Sequence, residues 1–479
     1  MNKINQPHIP ALTSRRDFLT KLGGGFGALA FASLLDRDRA IADVPNAANP
    51  LAPRQPHYRA RAKSVIFLFM EGGPSHIDTF DPKPELTRRN GQPLPESFGT
   101  VITPMGVGGA NLLASRRRFG KFGQCGMDIS DWLPHTRTIA DDIAVIRSCW
   151  ANGLNHVGSV CQMNTGSILA GRPCLGSWVT YGLGSENQNL PGFVVLTDDN
   201  RLPAGGARNW GTGFMPATFE GTLFRSSGSP VLHLNPPREM DGPGQRNRLD
   251  LLGALNRHHS QQHPGDTELE ARMNAYELAF RMQAAAPDVV DLRDETDATK
   301  EAYGLNDDAT RNFGHRCLLA RRMVERGVRF VQVYCGSGSQ WDAHSDLQGN
   351  HTRMCRRCDQ PTAALVKDLK QRGLLEDTLV VWGGEFGRTP MTEGTNGRDH
   401  NPYGFTMWMA GGGVRGGTVY GTTDEFGLHA VENRTHVHDI HATILHLLGM
   451  DHLGLTYFHH GREERLTVNA GRILDGIVA

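Results

Sequence analysis

The sequence predicts an α/β fold, a three-layer sandwich with a mainly parallel central sheet. Two short apolar runs, 65–70 (VIFLFM) and 379–382 (LVVW), lack the alternation of a half-exposed strand. Such runs suit central strands of a parallel sheet covered on both faces. Strand-like runs also alternate with helix-period segments, the pattern of strands joined by helical crossovers. Finally, both runs exit into acid and glycine, Glu71-Gly72-Gly73 in one case and Gly383-Gly384-Glu385 in the other. Ligands of open α/β sheets sit outside the carboxyl ends of the strands.

In chain order, residues 1–42 read as an export signal. Ser14-Arg15-Arg16-Asp17-Phe18-Leu19 resembles the twin-arginine motif, with Lys21 following, an apolar stretch at 22–35 and a small-x-small site at Ala40-Ile41-Ala42. The apolar stretch is too short to span a bilayer. This predicts a periplasmic or extracellular protein with no stable membrane span after signal removal. A polar linker is expected at 43–62 and one α/β domain at 63–479. Strands are expected at 65–70, 143–146, 193–196, 328–334, 379–382 and 406–410, and helices at 268–285, 311–326, 351–371 and 438–448. The segment 201–265, rich in Gly, Pro, Asn and Arg, reads as an irregular insertion.

Charge and composition narrow the function. Lys+Arg 50 balances Asp+Glu 50, so no net field draws the chain to nucleic acid. Eight cysteines permit disulfides outside the cytoplasm without revealing their connectivity. Cys355 and Cys358 form a C-x-x-C, but on an expected helix and with no second pair at zinc-ribbon spacing.

Acid and histidine gather after the expected strands. Asp342, His344 and Asp346 follow the run ending at Tyr334, Glu385 and Arg388 follow Trp382, and Asp399 and His400 precede the run at 406–410. Carboxylate and imidazole two to four residues apart in a loop suit a divalent ion. His436, His438, Asp439 and His441 form a further group before an apolar helix.

The stretches HDIHATILHLLGMDH, GEFGRTP, GRDHNP and GGPSHIDTFDPKP resemble DUF1501, a family of exported sulfatase-like proteins common in planctomycetes. The resemblance covers about 64 to the end. It implies an alkaline phosphatase-like fold related to sulfatases, with a divalent metal (zinc, calcium or magnesium) and an anionic ester or sulfated polysaccharide as substrate. Carried onto this sequence, the metal residues are Glu71, Asp342, His344, Glu385 and His400, with His156 and Arg388 in catalytic roles. Asn164-Thr165-Gly166 looks like the end of the sulfatase signature, and His156 stands where a sulfatase has the cysteine or serine converted to formylglycine. The late-strand Asp-His pair is replaced by Glu385-Phe386. Two readings stay open: metal-dependent hydrolysis of sulfate or phosphate esters without the formylglycine nucleophile, by a metal-activated water or through His156, with Ser148 ranked below them because no base is assigned to it, or a non-catalytic glycan- or protein-binding relative using the same crevice.

Overall fold

A computed structural model describes residues 49–198, 201–225, 231, 234, 242–262 and 267–479. The export signal expected at 1–42 and the first part of the linker lie outside these residues. From Asn49 onward the stretch expected as a linker is fastened to the domain: Arg54 N donates to Leu183 O (2.9 Å) and Arg61 N to Leu447 O (2.8 Å).

The central sheet is built from β1 (Ser64–Met70), β2 (Ile143–Trp150), β3 (Phe193–Leu196), β4 (Thr222–Phe224), β5 (Phe330–Cys335) and β6 (Thr378–Gly383). A hairpin of β7 (Gly387–Glu393) and β8 (Gly397–Asn401) leaves it, and β9 (Phe405–Ala410), β10 (Thr418–Tyr420) and β11 (Thr435–His436) rejoin it. The order is β10-β2-β9-β6-β1-β5-β3-β4, with β11 also on β2. β1 pairs in parallel with both β6 (Val65↔Leu379, Leu68↔Trp382) and β5 (Val65↔Phe330, Met70↔Cys335). The two runs read as buried neighbours are therefore adjacent. Only β9, between β2 and β6, runs antiparallel to its neighbours among the described sheet strands.

β1 shows why the sheet is a middle layer. Ile66, Leu68 and Met70 join one apolar core, while Val65, Phe67 and Phe69 join another on the opposite face. The first is closed by α5 (Arg311–Glu325) and α6 (Leu347–Gln371), through Cys317, Leu318, Leu365 and Val366. The second is closed by α1 (His156–Thr165), α2 (Leu175–Leu183) and α7 (Val437–Leu447), through Val160, Trp178, Ile440 and Ile444. Each fully buried aliphatic or phenyl side chain contributes about 1.5–3 kcal/mol. A strand covered on both faces is selected for residues that bury everywhere, hence the unbroken apolar runs.

The described parts of the segment expected as an irregular insertion, 201–225 and 242–262, contain regular elements. They hold β4 and α3 (Gly242–Gln262), which lies beside α4 (Thr267–Val290) with Arg246 paired to Glu277 at 2.6 Å. The helix escaped notice because its apolar residues are sparse and several, including Leu251 and Leu255, face solvent. All eight cysteines are free thiols, including the C-x-x-C pair, which is buried on α6.

Candidate metal centre

Four segments meet at the carboxyl end of β1, β5 and β6. His156 is the first residue of α1, whose N-cap Asn155 accepts a hydrogen bond from Gly158 N. Asp342 and His344 lie on the loop from β5 to α6, tied down by the neighbouring Trp341, which is fully buried in the core. His400 sits on β8 opposite Arg388 on β7. The glycine turn after β1 makes room for this assembly. Gly72 has φ +115°, and a Cβ there would lie 2.5 Å from Asp342 N, so no larger residue fits.

Three imidazoles converge on one carboxylate. His156 Nε2 lies 3.1 Å from Asp342 Oδ2; His344 Nε2 and His400 Nε2 lie 3.1 and 3.4 Å from Asp342 Oδ1. One ligand atom from each of these four residues falls within 4.8 Å of the others. The opposite ring nitrogens are all engaged. His156 Nδ1 meets Glu385 Oε1 at 2.7 Å, His344 Nδ1 meets Glu393 Oε2, and His400 Nδ1 meets Leu154 O at 2.9 Å. A carbonyl can only accept, so Nδ1–H of His400 donates and its Nε2 carries the lone pair. The carboxylate oxygens of Glu385 and Glu393, as acceptors, set the same tautomer on His156 and His344.

In that tautomer three Nε2 lone pairs face carboxylate lone pairs, an arrangement that needs either protons or a cation between them. His156 Nε2 and His400 Nε2 are buried without a hydrogen-bond partner, while Asp342 Oδ1 is met by the Arg388 guanidinium at 2.7 Å. The residues present therefore fit a divalent ion. Protonation shows the same tension. Burial would lower His156, but the carboxylates of Asp342 and Glu385 beside it override this and raise the ring to about 9. His344 is raised by its hydrogen bond to Asp342, whereas burial lowers His400. Burial would raise Asp342, yet its imidazole neighbours and Arg388 hold it well below the usual carboxylate range.

The other expected site residues sit close by in different roles. The Glu71 carboxylate accepts from backbone amides: Ala204 N (2.7 Å), Gly338 N (3.0 Å) and Ser339 N (3.1 Å). Burial and the nearby Glu385 raise it to about 7. Glu385 accepts from Gly72 N (3.0 Å) and supports His156. Neither glutamate belongs to the ligand group, because each is held by amides of the tight turns that shape the strand exits. His156, expected as a catalytic group, joins the ligand group. Arg388, also expected to be catalytic, is fully buried. It pairs with Asp342 Oδ1 at 2.7 Å and donates to Gly72 O, Gly73 O (2.9 Å) and Arg398 O (3.2 Å), so four of its five N–H groups are already engaged within the protein.

Sequence reasoning missed Glu393, and it left Asp399 outside the proposed ligand set. Together with His344 they form a second acidic group beside the first. Asp399 was visible next to His400, but Glu393 stands before an ordinary Gly-containing turn and gives no signal of its own. The carboxyl-terminal histidines are structural. Asp439 caps α7, and His438 and His441 meet Gly166 O and Met163 O at 2.7 and 2.8 Å. Ser148 is buried and donates to Asn433 O (2.7 Å), which gives it no access as a nucleophile. An open hollow of about 820 Å³ lies at the far end of the sheet, between Arg59, Asp142, Lys370 and Gly411. Its opposite charges pair with one another, Lys370 with Asp142, and do not converge.

Several solved structures share features of the chain. They include a magnesium-bound alkaline phosphatase variant from the Antarctic bacterium TAB5 (10% identity, 82% of this chain and 99% of that one, TM-score 0.34). Others are the lipoteichoic acid synthase LtaP from Listeria monocytogenes (10%, 92% and 82%, TM-score 0.37), and the PsFucS1 sulfatase from Pseudoalteromonas sp. (13%, 86% and 71%, TM-score 0.32). Scores of this size leave the chemistry to the residues themselves. No curated protein matches the sequence. The family described as "Protein of unknown function (DUF1501)" matches residues 62–478. With nearly the whole domain covered, the chain belongs to the DUF1501 family.

Proposed function

We propose that the protein is an exported hydrolase of sulfate or phosphate esters that depends on a divalent ion held by His156, Asp342, His344 and His400. The observation that carries this reading is the convergence of their ligand atoms, with the Nε2 atoms of His156 and His400 buried without a hydrogen-bond partner. An ion bound there would supply Lewis acidity and lower the pKa of water. The chain supplies the rest. Glu385, Glu393 and Leu154 O orient the three rings, and Arg388 neutralises Asp342 from behind. Phe386 stacks on His400 (4.4 Å between ring centres) and walls the site with apolar surface. The amino end of α1 enters the cluster through His156, and helix amino ends favour bound anions.

The test is direct. Metal-loaded protein should hydrolyse p-nitrophenyl sulfate or p-nitrophenyl phosphate, and His344→Ala, which deletes one of the four donors, should lose activity and metal together. Activity unchanged after chelation and in His344→Ala would overturn the reading. The engagement of Arg388 inside the protein favours a second reading, an anion-binding relative without turnover, because that guanidinium is not available to clamp a substrate. Metal-dependent binding of sulfated polysaccharide without hydrolysis of either ester would establish it. Export rests on Arg15 and Arg16. Replacing both by Lys should retain the precursor inside the cell, and normal export of that variant would remove this part of the proposal.

A further inference from the structure

The donor set at this centre discriminates between ions, and this deepening of the proposed function rests on the same metal reading. Three of the four converging donors are imidazole nitrogens; only Asp342 contributes oxygen. Calcium takes six to eight oxygen ligands, and magnesium retains waters and carboxylates in octahedral geometry. Imidazole suits zinc and its late first-row neighbours.

Carboxylates that a calcium or magnesium site would recruit are within reach of the loops but are turned elsewhere. Glu71 faces the amides of Ala204, Gly338 and Ser339. Glu385 and Glu393 instead accept from His156 Nδ1 and His344 Nδ1. A carboxylate on the far nitrogen of a ligating histidine fixes its tautomer and raises its basicity. Leu154 O performs the orienting part of this role for His400. All three rings thus present the same nitrogen inward.

We infer that the centre is built for an imidazole-preferring late first-row ion, zinc being the type, with Glu385 and Glu393 acting as positioning residues for His156 and His344. Neither glutamate touches the ion in this arrangement. Each acts through the ring that it holds.

The experiment uses the full-length mature chain, stripped with chelator and titrated separately with Zn²⁺, Co²⁺, Ca²⁺ and Mg²⁺ by calorimetry, with the thermal midpoint followed in parallel. One tight zinc site is expected, with no response to millimolar calcium or magnesium. The cobalt form should show the intense visible bands of a low-coordinate, nitrogen-rich site rather than the weak bands of six oxygens. Glu385→Gln and Glu393→Gln should each weaken zinc by about 10–100-fold. Where a Gln variant also weakens the metal-free fold by circular dichroism, His400→Ala, which deletes one donor, must show the same loss of zinc. Calcium or magnesium binding as tightly as zinc, or no binding of any of the four ions, would overturn the inference. Zinc affinity unchanged in both Gln variants would overturn the positioning role. Tight zinc binding with no turnover of either ester would leave the inference standing and sink only the hydrolase reading.

Discussion

Glu71 is a carboxylate buried in a nest of amides within reach of a second carboxylate, Glu385. Its pKa is raised to about 7 by burial and by Glu385, against 4.5 in the unfolded chain. A raised folded-state pKa contributes stability that is present in full below the unfolded value and lost as pH rises through the folded one. The metal-free protein should therefore lose about 3 kcal/mol from this group between pH 4.5 and just above 7. Urea unfolding across that range checks it: Glu71→Gln should flatten the slope, and an unchanged slope would refute the assignment. The residue itself was legible because an acid directly after a buried strand is unusual. Its role was not, since the amides that hold it come from Ala204, Gly338 and Ser339, far away in sequence. Asp342, His344 and His400 were legible as polar groups at strand exits. The tautomers that align them depend on Glu393 and on the carbonyl of Leu154, which no pattern of residue types announces.

The hairpin of β7 and β8 is the element on which the centre depends most, since it carries Arg388, Glu393, Asp399 and His400 on two adjacent strands. A register shift between Arg398 and His400 marks a bulge in this pair, and bulges re-aim side chains beside functional sites. The hairpin is pressed against the loop from β5: a Cβ on Gly397 would overlap the carbonyl oxygen of His344. Gly397→Ala should thus cost about 1–3 kcal/mol, in the range of overpacking, and displace His344. Denaturation midpoints and zinc affinity should fall together; a variant that loses neither would show that the loops adjust freely. The hairpin was not read from the sequence because β7 and β8 lack an apolar run, are rich in Gly, Arg and Thr, and leave the sheet instead of extending it. β1 and β6 were readable for the opposite reason, since burial on both faces leaves an unbroken apolar run.

Across the whole molecule, the sheet order brings β1, β5 and β6 side by side, so loops more than 250 residues apart in sequence share one rim. Alternation of strands and helices was enough to anticipate that layering, while the antiparallel insertion of β9 depends on a return from the hairpin that composition does not encode. Among the described residues no helix is long and apolar enough to cross a membrane. The eight free thiols have a consequence at this scale. Seven are buried, and Cys125 alone is exposed. Desolvation raises Cys317, Cys355 and Cys358 well above the ordinary thiol range, which leaves them as unreactive thiols rather than thiolates. Native protein treated with iodoacetamide should accordingly gain one adduct by intact mass, and unfolded protein eight. Several rapid adducts on the native chain would contradict the packing. The folded domain thus keeps most of its sulfur chemistry out of reach of oxidants, and the ratio of native to denatured labelling becomes a direct count of the molecules that are correctly closed.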